Sequence, residues 1–330
     1  MAATRPSQFA SLLRSELMAR NRQYARGRRH VESYGDPPVV VYAPDGTRHG
    51  NFFDPAYASI AARSEWFRRF DKVHAQMRSL PWSERKWREL DSSMSSDALL
   101  MNIFCTPGVV ELPLVRALLG QADQEPPRFG WRARVPLASG LFDRTEVDMC
   151  WGSLLIEAKL TESDFQSGKP ELAYAYRDLD AVFDRELLPR VQIPISRRRQ
   201  SVELPEEYSQ EEVRLPAAEW QPYVWEVAPE YVDGFASYQL IRNVLAAHTT
   251  GMSFCVLLDE RRPDLREAWF QVMAAVKDAV LRVRLKVLTW QELAAVLPTS
   301  LRDFLGEKYG IVAPGHEPWP LEPILMEDMR

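Results

Sequence analysis

The sequence predicts an α/β (α+β) chain: a mixed central β-sheet flanked by helices, preceded by a helical N-terminal extension. Three observations predict it. Residues 129–138, 145–151 and 153–160 form consecutive strand-like runs, the last two separated only by Gly152. From residue 233 onward, helical and strand-like segments alternate, as they do when strands run parallel through crossover helices. Before residue 105 the apolar residues recur mostly at helical spacing.

Taken in order, residues 7–26 place Phe9, Leu12, Leu13 and Leu17 at helical intervals, with arginines on the other faces. Residues 35–54 are rich in turn formers around the strand-like VVVY at 39–42. Helices are expected near 55–79, 83–104 and 109–120, with Trp66, Phe67, Phe70, Trp82 and Trp87 packing as core. The strand trio follows. Residues 161–232 read as an insertion, helical near 170–188 and then rich in proline and acid. Residues 233–248 and 263–280 read as helices, 252–258 and 282–288 as buried strands, and helices at 290–297 and 299–309 close the pattern. The division expected is an extension over 1–105 packed on a core over 106–330. No internal repeat is visible.

Composition narrows the classes of function. With 330 residues, 46% hydrophobic and 26% charged, the chain is an ordinary folded protein and neither disordered nor fibrous. No apolar run approaches the length of a membrane span, and no secretory pattern opens the chain. The three cysteines, Cys105, Cys150 and Cys255, sit in apolar surroundings and are expected as buried free thiols in a reducing cytoplasm. The net charge of −5 hides a strong asymmetry. Seven arginines against one acid make residues 1–30 basic, nine acids against one base make 200–233 acidic, and Arg197, Arg198 and Arg199 lie between. Each basic cluster reads either as a nucleic-acid contact or as a solvated surface. The acidic stretch reads either as a DNA-like lid over a basic cleft or as a solvated loop.

The chemistry concentrates in the hairpin. Glu157 and Lys159 are two apart and project from one strand face. Asp148 stands about as far before the turn at Trp151-Gly152 as Glu157 stands after it, so hairpin pairing brings the two carboxylates together. LLIEAKL and VDMCW are apolar runs, in which unpartnered charges are costly. Carboxylate oxygens suit Mg²⁺, and an ammonium beside them stabilises charge on an attacked phosphodiester. Other motifs fail. SGK at 167–169 lacks both the first glycine (Ser163 stands there) and the Ser/Thr (Pro170 stands there) of a phosphate loop. The five histidines show no zinc spacing, and there is no GxSxG elbow.

The spacing D-x8-E-x-K in this setting resembles the PD-(D/E)XK nuclease superfamily, and within it bacterial restriction-endonuclease-like proteins. Asp148, Glu157 and Lys159 match the three motif positions, with Val147 where the proline usually stands. The element order matches too, and GNFFDP at 50–55, ELDSSMSSDALLMNIF at 89–104 and TWQEL at 289–293 resemble segments of such proteins. The resemblance implies a restriction-endonuclease-like core and a metal-dependent endonuclease acting on DNA. In it Asp148 and Glu157 would hold Mg²⁺, which Mn²⁺ would replace, and Lys159 would act on the attacked phosphate. It also implies an extra acid from a preceding helix, for which Asp97 and Glu111 are candidates, with Glu146 as a rival on the strand itself. From the helix after the motif come Gln239, a catalytic candidate, with Arg242 and Asn243, nucleic-acid-binding candidates; the three would hold the attacking water or a phosphate, with capping and packing as their other reading. Arg197, Arg198 and Arg199 are further candidates for contact with nucleic acid. A defence role, a homodimer or a defence-system partner protein fits this reading; a repair nuclease and a non-cleaving binding module are its alternatives.

Overall fold

In the computed structural model, residues 8–75, 77–122, 125–194 and 231–317 are described. Arg197, Arg198, Arg199 and nearly all of the acidic stretch 200–233 lie outside the described residues, as does Arg5.

A five-stranded mixed sheet organises the chain. Its strands are β1 (Arg128–Arg132), β2 (Glu146–Trp151), β3 (Leu154–Ala158), β4 (Ser253–Leu258) and β5 (Leu285–Thr289), side by side in chain order. β1–β2 and β2–β3 are antiparallel, whereas β3–β4 and β4–β5 are parallel. The parallel pairs need crossovers, which α5 (Tyr238–Thr250) and α6 (Pro263–Ala275) supply before β4 and β5. Both faces of the sheet are covered, which explains the apolar runs of β3 and β4.

On one face, Met149, Trp151, Ile156, Cys255 and Leu257 pack against Leu13, Leu17 and Met18 of a first helix, α1 (Gln8–Tyr24). Ile103 and Phe104 from α3 (Ser96–Phe104) and Leu301 and Leu305 from α7 (Thr299–Tyr309) join them. On the other face, Val147, Leu155, Phe254 and Val256 meet Val244 and Leu245 of α5 and Trp269 of α6. Residues before 105 therefore share the main core. A satellite cluster of Phe52, Ile60, Trp66, Phe70 and Met101 lies under α2 (Asp54–Ala62).

Several expectations need correction. The buried stripe of α1 runs through Ala10, Leu13, Leu17 and Tyr24, leaving Phe9 and Leu12 exposed. The segment 55–79 breaks into α2, a single turn at Ser64–Phe67 and short 3-10 turns. Only Ser96–Phe104 of the expected 83–104 helix is α-helical. Asp91 and Ser92 instead bond the backbone of Arg88 and Met94, the competition with helix expected of such side chains. Phe67 and Trp82 are exposed, whereas Trp66, Phe70 and Trp87 are buried as expected. All three cysteines are free and buried. No described helix is long and apolar enough to cross a membrane.

Candidate active site

The hairpin turn is two residues long, Gly152-Ser153, closing the pair Trp151↔Leu154, and Gly152 takes the φ of +54° that primed turns demand. Its register aligns Met149 with Ile156 and, one step further, Asp148 with Glu157. At that step Asp148 accepts a hydrogen bond from the Ala158 amide at 2.8 Å, which fixes its carboxylate across the hairpin. Glu157 is 1% exposed and is the focus of three donors: Lys159 Nζ at 2.8 Å, Gln239 Nε2 at 2.6 Å and Asn243 Nδ2 at 2.9 Å. The last two come from one face of α5, as the i, i+4 spacing requires. Gln239 Oε1 and Asn243 Oδ1 remain buried without a hydrogen-bond partner.

Asp148, Glu157, Lys159 and Gln239 line a cleft of about 850 Å³ that also takes in Asp97, Glu162 and Lys72, whereas Asn243 does not line it. Burial, then Glu157 and Asp97, push the Asp148 carboxyl well above its ordinary range. Burial likewise raises Glu157, against the opposing pull of Lys159 and Asn243. For Lys159, burial works against the ammonium, but Glu157, Glu162 and Asp148 outweigh it and raise its pKa. Three carboxyl groups, Glu157, Glu162 and Asp148, therefore act on the one ammonium of Lys159. Among the described residues no group of three or more His, Cys, Asp and Glu side chains is arranged to hold a metal. Two carboxylates and an unpartnered amide oxygen are nevertheless a hard-oxygen donor set, the kind that suits a cation keeping most of its waters.

The other expected residues fall into two groups. Asp97, in the first turn of α3, lines the cleft and is held by Arg69 at 2.8 Å and Lys72 at 3.3 Å. Glu146 shares Arg69, at 2.6 Å, and also takes Arg132 at 3.1 Å. Burial would raise its pKa, but these two arginines lower it, and Glu146 does not line the cleft. Glu111 is exposed ahead of α4 (Pro113–Leu119), also away from the cleft. Arg242 does not reach the cleft either, because Asp143 holds it at 2.8 and 3.1 Å and Tyr176 at 3.1 Å.

Sequence reasoning missed the support behind the motif strand. Glu162 accepts from the Leu160 amide at 2.7 Å and from Ser96 Oγ at 2.6 Å, tying the strand exit to α3. The carbonyl of Lys159 receives Trp290 Nε1 at 2.9 Å, that of Leu160 receives the fully buried Arg262 at 3.2 Å, and that of Thr161 receives Arg14 at 2.7 Å. Only the TWQEL segment, which carries Trp290, was a signal for any of these. In the same way GNFFDP and the run at 89–104 prove to be neighbours: Asn51 donates to Leu90 O and Ser92 O, and the Phe53 amide to Asn102 Oδ1.

A family model described as "restriction endonuclease associating with ARP" matches residues 18–310 of this chain. No curated protein and no solved structure matches it.

Proposed function

The chain belongs to the family of restriction endonucleases associating with ARP, and from that premise we propose that it is a metal-dependent endonuclease hydrolysing DNA phosphodiester bonds, in defence against foreign DNA and alongside the ARP partner that the family name gives. The observation that carries the proposal is the convergence of Asp148, Glu157 and Lys159 on one cleft. Two carboxyl groups beside a lysine suit a divalent cation and a phosphate.

Asp148 and Glu157 would hold Mg²⁺ or Mn²⁺. The ion would supply a Lewis acid for the phosphoryl oxygen and lower the pKa of a bound water. The protein's own groups do the rest. Lys159, kept protonated by its three carboxylate neighbours, stabilises negative charge developing on the phosphate rather than serving as the base. Gln239 and Asn243 fix the Glu157 carboxylate, and the unpartnered Gln239 oxygen, in the cleft, accepts a hydrogen bond from the attacking water. Asp97 contributes charge that Arg69 and Lys72 hold in place.

The test is incubation of the purified chain with plasmid and linear DNA in Mg²⁺, Mn²⁺ or EDTA. Cleavage is expected with either metal and not in EDTA. Asp148→Ala and Glu157→Ala should each lower it about 1,000-fold or more, with the thermal transition preserved. Cleavage that survives either change places the chemistry elsewhere.

A further inference from the structure

Trp82 was expected in the core, yet at 88% exposure it is the most exposed large hydrophobic side chain among the described residues. Tyr34 is close behind at 76%. Single exposed aromatics are ordinary. These two are set apart by their position and by the hydrogen bonds that hold the backbone near them. The Tyr34 amide donates to Ser79 O at 2.7 Å, and Trp82 follows Ser79 by three residues, a span of at most about 11 Å. The turn carrying Trp82 is pinned by Trp87 Nε1 on Pro81 O at 3.3 Å and by the Arg85 amide on Ser83 Oγ at 3.1 Å.

Both aromatics adjoin segments that line the cleft. Residues 35–39, directly after Tyr34, form part of its wall, as do Lys72, Arg78 and Ser79 ahead of Trp82. The same cleft carries Asp148, Glu157 and Lys159. Lys72 is half exposed, and Arg78 and Lys86 are exposed and stand four residues before and after Trp82 in the chain. Exposed aromatics interleaved in the chain with lysine and arginine match the two features that single-stranded nucleic acid offers: base faces for stacking and phosphates for charge. A duplex keeps its base faces inside the stack and has little use for such rings.

Resting on the nuclease reading above, we propose that the Tyr34–Trp82 rim is a stacking platform for unpaired bases, and that the preferred substrate of the adjoining cleft is DNA with a single-stranded stretch. Partial unpairing at a junction or overhang suffices, because two rings stack only a few bases.

The test measures fluorescence anisotropy of labelled single-stranded and duplex oligonucleotides of one sequence with the full chain in EDTA. It compares the wild type with Tyr34→Ala, Trp82→Ala, the double variant and Trp82→Phe. Each alanine change should weaken single-strand binding about 5- to 100-fold, the range expected for one lost stacked base. The ratio of single-strand to duplex affinity should fall, and Trp82→Phe should retain most of the binding. Both sites are exposed, so unchanged thermal transitions are expected to accompany the loss. An unchanged ratio in the double variant overturns the proposal. So does loss of a co-purifying protein partner with no change in DNA binding, which would make the rim a protein-docking surface. A parallel cleavage arm in Mg²⁺ separates the two readings. Rim-dependent binding without any cleavage sinks the nuclease reading alone; cleavage with an unmoved ratio sinks the rim alone.

Discussion

Lys159 and Lys308 are both buried, at 6% and 0% exposure, and the fold treats them in opposite ways. Lys159 faces Glu157 at 2.8 Å and opens onto the cleft, and the carboxylates around it raise its pKa. Lys308 has no exposure to solvent. Its Nζ donates to Asn21 Oδ1 at 2.6 Å and lies 4.6, 4.7 and 5.5 Å from the rings of Tyr42, Tyr309 and Tyr24, with no ion pair among the described residues. Ring faces favour an ammonium, but burial, and then Arg28, push its pKa well below the ordinary lysine value. Burial of a charge is therefore no mark of a site by itself. What marks one is a charged group beside a cavity, whereas Lys308 is enclosed between α1 and α7 with a lowered pKa.

The sharpest way to break this contrast is to replace each lysine by methionine. Lys159→Met should lower cleavage about 100- to 1,000-fold, with the thermal transition preserved, because Glu157 keeps Gln239 and Asn243. Lys308→Met should leave cleavage alone. The reverse outcome would exchange their roles.

A smaller effect is expected at the arginine that restrains the site's outer acids. Arg69 is 11% exposed, and burial is outweighed by Asp97 and Glu146, which raise its pKa. Arg69→Ala leaves Asp97, 8% exposed, with only the half-exposed Lys72. Denaturant unfolding should report a loss of about 3 kcal/mol. A loss well below 1 kcal/mol would show that Asp97 is already solvated through the cleft.

The smallest effect concerns pH. A lysine whose folded pKa is depressed binds its proton in the unfolded chain first. Its contribution is complete above the unfolded value of about 10.4 and declines as pH falls toward the folded one. Lys308→Met should therefore stabilise the chain at neutral pH. The gain should shrink as pH approaches 10. A pH-independent difference would assign it to packing.

The motif residues were legible because a two-residue turn leaves the hairpin only one register, and helical spacing put Gln239 and Asn243 on one face. Local pattern went no further. Arg242 has the same spacing, yet its partner Asp143 lies 99 residues away and takes it out of the cleft. Residues 82–95 carry Trp82, Trp87 and Leu90 at near-helical intervals, but Asp91 and Ser92 satisfy backbone groups that a helix would have used. Glu162 meets Ser96 only through tertiary packing, so nothing local announced it. Four of the N-terminal arginines, read as a basic surface, are engaged within the fold: Arg14 on Thr161 O, Arg20 on Glu16, Arg22 on Glu32 and Arg28 on Tyr24 O. Deleting residues 1–30 would remove core side chains as well as charge, so it is no clean test of DNA binding.

The carbonyls that follow the motif strand are gripped by Arg14, Arg262 and Trp290, side chains recruited from α1, the entry to α6 and the end of β5. This makes the site a late product of synthesis. A ribosome that has not yet delivered residue 290 has made Asp148, Glu157 and Lys159 but not the indole that steadies them. Arrested chains ending before residue 290 should be inert on DNA, and the chain released beyond residue 310 should be the first to act.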